Sequence, residues 1–398
     1  MSKKGHLLKG LIVAVAMVAL MIGLAACGSS GSSSSESTSE ATSESGSEGG
    51  TANAAATSGS SEQQKLAAEV KELEVRPTSI GITTPVKGGP PPGKHIVFLQ
   101  CAIPDCAQTG TSIEEAADKV GWSLTRIPIG TSPETIADAW HAALEKDPDA
   151  IIGSGAFPQE FYKSELEEAE SRNIPLLALA EAKEGPPWTL VVGSGEGVGT
   201  ATGDIAAKYV ASKIDEGSVL AVTAPGIGVI ESEVSSFQEN LPKYCPKCSV
   251  DVLEVPPSSI GTDASQRIAA YLQAHPDTKF GFLSVIDFVI GLKTAEAAAG
   301  VSEVPLIAQS TSPTGLEALK NHEAELEATT MYPASDGTWR LIDALARTWR
   351  GQPVTEDEDS TFPNWLITAE NLPDERPLPA VKDYKAQFEA LWGLTESE

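Results

Sequence analysis

The side chains best equipped for chemistry are five cysteines, and their spacing sorts them into three groups. Cys27 stands alone near the N-terminus, Cys101 and Cys106 are five apart, and Cys245 and Cys248 enclose Pro246-Lys247. A thiolate can attack, bind zinc or oxidise to a disulfide, and spacing and compartment decide which. The histidines, His6, His95, His141, His275 and His322, do not make the His-Glu-x-x-His spacing of a zinc helix. No Gly-x-Ser-x-Gly elbow precedes a helix, so no hydrolytic constellation is assembled. The acidic run Glu356-Asp357-Glu358-Asp359 lacks the glycine and spacing of a calcium loop and reads as a solvated crossover. Residues 192–203, VGSGEGVGTATG, look like a dinucleotide loop. That fingerprint, however, belongs after the first strand, with an acid about 20 residues on. Here the glycines follow the fifth strand and read as a hinge or tight turn. The chain is therefore expected to hold no catalytic residue, no metal and no cofactor.

The N-terminus sets the compartment. Lys3, Lys4 and Lys9 make a basic start, residues 11–24 are an apolar run broken only by Gly23, and Leu24-Ala25-Ala26-Cys27 follows. That pattern is a signal peptide over residues 1–26 rather than a membrane span. Cys27 at the cleavage point resembles the lipobox of bacterial lipoproteins, in which that thiol is lipidated. The mature chain is then extracytoplasmic, where disulfides persist. The four remaining cysteines are read as two local disulfides, Cys101 to Cys106 and Cys245 to Cys248. A four-cysteine zinc site would need both pairs at one ion, and they fall in different lobes. A redox role for the second pair expects a helix N-terminus after a strand, and this pair follows Leu241-Pro242-Lys243 at a helix end, as a stapled turn would.

Residues 28–64 are almost all Ser, Gly, Glu, Thr and Ala, and residues 86–93, VKGGPPPG, form a second spacer. Residues 27–93 are read as a disordered acidic tether, with a short helix at 67–75. The 398 residues suffice for two lobes beyond it. A net charge of −27 argues against nucleic acid and against an anionic membrane surface as partners.

Beyond the tether, strands and helices alternate. Strands are read at 95–99, 123–127, 150–152, 176–179 and 190–192, with helices at 112–120, from Ser132-Pro133 to about 146, and at 158–171. Ser132 is read as an N-cap with proline at the first helical position, and Ser112 with Glu115 as a capping box. A helix at 199–214 leads to a second series. Its strands are 219–223, 250–255, 280–283 and 306–308, and its helices 230–240, 264–275, 288–299 and 315–321. A helix at 338–350, a strand at 366–367 and a closing helix at 384–392 complete the chain. The fold class is α/β: two similar doubly wound lobes.

Residues 146–181 carry the clearest unit: a strand after Asp149-Ala150-Ile151-Ile152, a helix, then Asn173-Ile174-Pro175 and a second strand. In this order of elements the chain resembles, over residues 94–371, the sugar-type solute-binding proteins of bacterial ABC importers, the type I periplasmic binding proteins. The resemblance implies a first lobe of 94–194 plus 333–355, a second of 195–332 plus 356–375, and a C-terminal helix over 376–398. It implies three lobe crossings, near 193–196, 332–333 and 355–362, with the ligand between the lobes. It implies a monomeric binding protein, not an enzyme, that carries a small carbohydrate or sugar-like molecule to an ABC permease in the membrane. A sensory lipoprotein of the same fold is the alternative, and an extracytoplasmic enzyme a more distant one.

Strand-end positions then offer ligand contacts: Gln100, Asp105, Phe157, Glu181 and Glu231, followed by Asp287, Phe288, Gln309, Ser310 and Tyr332. The family often ends the Asn-Ile-Pro strand with Asp-Arg, where this chain has Ala180-Glu181. It often carries Asn-Asp where this chain has Val285-Ile286-Asp287, and Asp where this chain has Gln309-Ser310-Thr311. The loss of Asp and Arg clamps implies a less polar ligand, or one held by amides and aromatics.

Overall fold

The computed structural model describes residues 61–102, 104–154, 157–179, 181, 185–192, 195–332, 335–354 and 364–394, without the side chains of 104, 105, 195 and 196. Cys27 and the signal segment lie outside the described residues, as do 193–194, 333 and 355–362 of the expected crossings.

The first sheet runs β2-β1-β3-β4-β5, with every pairing parallel. Its strands are β1 (His95–Gln100), β2 (Ser123–Pro128), β3 (Ala150–Ser154), β4 (Leu176–Leu179) and β5 (Leu190–Val192). All residues of β3, β4 and β5 are buried, as expected of apolar strands covered on both faces. Between them run α2 (Pro104–Lys119), α3 (Pro133–Leu144) and α4 (Lys163–Ser171). Ser132 caps α3, its hydroxyl accepting from the Thr135 amide, with proline in the first turn. Asn173, at φ +54, ends α4 one residue before Ile174-Pro175.

Helix α2 begins at Pro104, well before the expected 112. The capping box at Ser112 does not form. Ser112 lies inside the helix and donates to the Ser335 carbonyl at 3.0 Å. Proline at the first helical position starts α2 directly after β1. Cys106 consequently sits in the first turn of α2, its Cα 5.6 Å from that of Cys101 and its sulfur at disulfide distance.

The second sheet runs β7-β6-β8-β9-β10-β11. It contains β6 (Gly217–Thr223), β7 (Cys248–Glu254), β8 (Thr278–Leu283), β9 (Leu306–Gln309), β10 (Leu326–Thr330) and β11 (Leu366–Thr368). Only β11 is antiparallel, pairing Ile367 with Thr329. Strand β10 is absent from the sequence reading, because Glu325 and Glu327 mask its buried Leu326 and Ala328. The helices are α5 (Thr200–Lys213), α6 (Gly228–Tyr244), α7 (Ala264–Ala274), α8 (Leu292–Ala299) and α9 (Pro313–Lys320). Cys245 and Cys248, with Cα atoms 5.3 Å apart, staple the turn from α6 to β7.

Helix α5 packs on α6 through the glycines of the 192–203 stretch. A Cβ at Gly203 would run into the Glu233 carbonyl and the Ser236 side chain. Close helix approach, rather than a phosphate, accounts for that glycine.

After the second sheet the chain returns to the first lobe. Helix α10 (Asp336–Trp349) and the closing helix α11 (Tyr384–Trp392) join the first lobe's core, where Trp339 stacks on Trp392 with centroids 5.3 Å apart. The C-terminal helix is thus part of the first lobe and not a separate unit.

The expected tether over residues 27–93 is corrected from residue 61 onward. Helix α1 (Ser61–Leu73) packs on α5, burying Leu66 and Val70 in the second lobe's core. Ile80, Ile82 and Val86 enter the core of the first lobe. The proline-rich spacer is held too: Trp122 Nε1 donates to the Pro91 carbonyl at 2.6 Å, and Arg350 Nε to the Gly89 carbonyl at 2.7 Å. Isolated apolar residues among Pro and Gly give no periodic signal, yet each fills a core position.

Candidate ligand-binding cleft

A cleft lies between the lobes, lined from both. From the first lobe come Cys101 after β1, Thr109 on α2, Ser154 at the end of β3 and Leu179 at the end of β4. From the second come Ile227, Val229 and Ile230 around the start of α6, then Val285 after β8 and Gln309 at the end of β9. These are carboxyl ends of strands, where open α/β sheets bind ligands.

Ser154 organises the first-lobe wall. Its hydroxyl donates to the Leu99 carbonyl at 2.6 Å and accepts from the Cys101 amide at 2.9 Å. That fixes where β1 turns into the cystine loop, and both Cys101 and Cys106 line the cleft.

The second-lobe wall holds Ser310 at φ +98, a left-handed conformation costly for a non-glycine residue. Its amide donates to the Thr330 carbonyl at 3.2 Å, and Thr329 Oγ1 donates to the Ser310 carbonyl at 2.8 Å. Such over-determined strain is found where a side chain must be aimed. Tyr332 completes the wall after β10.

Glu233 on α6 is the sole charged residue among the described residues lining this cleft, and its side chain is fully buried. Neither carboxylate oxygen has a hydrogen-bond partner. Burial alone pushes its carboxyl well above the usual range. It shares a helix face with Val229 and Ile230, and the α5 contact at Gly203 fixes its backbone.

Two spaces adjoin the cleft. A small side pocket within the first lobe is walled by Trp140, Tyr162 and Trp188 and includes Phe157 and Glu181. Trp140 and Tyr162 stack with centroids 4.7 Å apart. The mouth between the lobes is apolar, carrying Ala102, Ile129, Phe157 and Phe161 opposite Pro225 and Ile260.

The ten expected contacts divide accordingly. Gln309, Ser310 and Tyr332 line the cleft, Phe157 its mouth and Glu181 the side pocket. The side chain of Asp105 lies outside those described. Gln100 does not line the cleft; its Oε1 accepts from Arg126 at 2.9 and 2.6 Å. Glu231 is exposed and caps its own loop, accepting from the Gly226 amide at 2.8 Å. Asp287 is buried beneath the start of α9, accepting from Ser312 Oγ at 2.8 Å, and burial raises its carboxyl pKa. Phe288 is wholly buried in the second lobe's core. Sequence reasoning missed Thr109, Ser154 and Glu233. Ser154 stood at a strand end and was findable by the strand-end rule. Glu233 needed the helical phase of α6, which turns it inward and Glu231 outward.

No group of three or more metal-ligating side chains occurs among the described residues, and none of their helices is long and apolar enough to cross a membrane.

No protein-family model matches the chain, and no curated protein does. Solved structures do. An ABC transporter solute-binding protein from Agrobacterium vitis, solved with bound allitol, is 18% identical, with a TM-score of 0.60 over 75% of this chain and 99% of that one. A sugar ABC transporter from Yersinia enterocolitica is 14% identical, with a TM-score of 0.63 over 78% and 98%. A glucose-galactose binding protein from Geobacillus stearothermophilus is 15% identical, with a TM-score of 0.62 over 71% and 100%. With its two parallel sheets, interlobe cleft and these likenesses, the chain has the fold of the type I periplasmic solute-binding proteins.

Proposed function

We propose that this protein is an extracytoplasmic solute-binding protein, anchored by lipidated Cys27, that captures a carbohydrate-like small molecule and delivers it to an ABC permease. The carrying observation is the cleft itself: strand ends of both lobes face one another across one cleft with an apolar mouth. Closure of one lobe on the other would bury the ligand and create the surface a permease reads. Gln309, Ser154 and Thr109 would serve ligand hydroxyls, Tyr332 would cover an apolar face, and the aromatic mouth would gate access. The bound ligands named for the structural neighbours, allitol among them, support the carbohydrate class. The role asks for binding and release, and no bond-breaking step.

The test is native mass spectrometry of the folded chain as purified and after addition of sugars, polyols, nucleosides and amino acids. One small molecule per chain, with a raised melting temperature on re-addition, is the expected result. Failure of every class to bind would overturn the reading.

A further inference from the structure

Resting on the solute-binding reading above, we infer that Glu233 is the ligand anchor of the cleft and selects a saccharide-sized ligand that carries a protonated amine on a largely apolar body, in class a deoxy amino sugar. Three observations carry this. The first is the isolation of the carboxylate. Glu233 is fully buried, lines the cleft, and has both oxygens without a partner. Ionising a buried acid so placed is costly unless something that binds there compensates the charge.

The second is the absence of any competing charge. No Lys, Arg or His lies among the described residues lining the cleft. A cation that would hold Glu233 ionised must therefore come from the ligand. An anionic ligand would face an acid with no base beside it.

The third is the wall around it. Ile227, Val229, Ile230, Val285 and Leu179, with the Cys101–Cys106 cystine, line the same cleft as Glu233 with surface that cannot serve hydroxyls. Gln309, Ser154, Thr109 and Ser310 supply a smaller polar set. A fully hydroxylated sugar would bury unsatisfied hydroxyls against the aliphatic wall, whereas deoxy positions would not. Burial shifts the Glu233 carboxyl toward its protonated form, and an ammonium ion beside it favours the carboxylate, so binding shifts that equilibrium toward proton release. The ligand remains an ammonium and Glu233 the carboxylate, and any proton displaced from Glu233 goes to solvent.

The experiment is isothermal titration calorimetry on the folded chain with matched pairs: glucosamine against glucose, galactosamine against galactose, and their 6-deoxy counterparts. Each amine should bind about tenfold to hundredfold tighter than its hydroxyl partner, the equilibrium weight of a hydrogen bond to a charged group. In two buffers of different ionisation enthalpy, amine binding should show net proton release and hydroxyl-partner binding none. Glu233→Gln should abolish the preference while its melting temperature holds or rises. The proton count on the unaltered protein keeps the test valid if that variant folds poorly. Equal binding of amine and hydroxyl partners, or a preference that survives Glu233→Gln, would overturn the assignment and leave the solute-binding reading standing. Binding by neither series, with no ligand from the wider panel, would overturn both.

Discussion

Arg347 Nη2 donates to the Thr84 carbonyl at 2.6 Å, although the two residues are 263 positions apart. The same guanidinium gives its Nε to Asp343 Oδ2 at 2.5 Å inside the first lobe. Arg76 adds bonds to the Pro379 and Ala380 carbonyls at 2.8 and 3.0 Å. The segment before β1 is thereby fastened to α10 and to the C-terminal stretch. A chain beginning at Lys94 would lose the cover of Ile80, Ile82 and Val86 on one lobe and of Leu66 and Val70 on the other. Each such side chain contributes roughly 1.5–3 kcal/mol by burial. The shortened chain should therefore unfold at markedly lower urea than one beginning at residue 61. Coincident unfolding midpoints would show that the segment is not part of the folded body.

The two cystines should behave differently on removal. Cys101 and Cys106 line the cleft and tie the end of β1 to the first turn of α2. Cys245 and Cys248 only join α6 to β7. Each closes a short loop, worth about 2 kcal/mol in the chain-entropy account. Cys106→Ser should weaken ligand binding several-fold as well as lowering the melting temperature. Cys248→Ser should lower the melting temperature alone. Ligand titrations on both variants check this, and equal affinity losses would sink it.

Much of the frame was legible in the sequence, and the reason is hydrophobic continuity. Strands β4 and β5 are short apolar runs with clear stops, and their bounds follow from composition. Ser132-Pro133 gave α3 for the same local reason. The site was harder to read. Gln309, Ser310 and Tyr332 stand at strand ends, so topology alone points to them. Glu231 and Glu233 are two residues apart on one helix. A slip of that size moves a side chain about 200° around the helix axis, from solvent to cleft. Asp287 looked like a cleft acid because it follows β8, yet Ser312 draws it under α9.

A second buried acid sets a pH dependence of stability. Glu296 on α8 is fully buried with neither oxygen paired. Burial first, and the Glu303 carboxylate second, push its carboxyl from an ordinary 4.5 up to about 7. The folded chain therefore holds this proton in a window where the unfolded chain has released it. More protons bound to the folded state means that stability falls as pH rises from about 4.5 to about 7. Glu296→Gln removes the titration and should raise the melting temperature at pH 8 while changing it little at pH 4.5. Thermal melts of both proteins across that range decide it. An equal shift at both pH values would show that the carboxyl is not the cause.

Gln309 and Phe288 provide a paired test of where the cleft ends and the core begins. Gln309 ends β9 and Phe288 follows β8, and both are buried. Gln309 lines the cleft, and under the proposed function Gln309→Ala removes a hydrogen bond to the ligand. Affinity should fall about tenfold, which corresponds to about 1.4 kcal/mol, with little change in unfolding. Phe288 is enclosed by the second lobe's core, within the apolar cluster that includes Leu283, Leu292 and Leu316. Phe288→Ala leaves a cavity with nothing to collapse into it, and should cost about 3–5 kcal/mol of stability. Any loss of binding in that variant should track the unfolded fraction and recover on cooling. Urea titrations with parallel ligand titrations separate the two effects. If Phe288→Ala kept its stability but lost affinity, Phe288 would belong to the cleft and the boundary drawn here would be wrong.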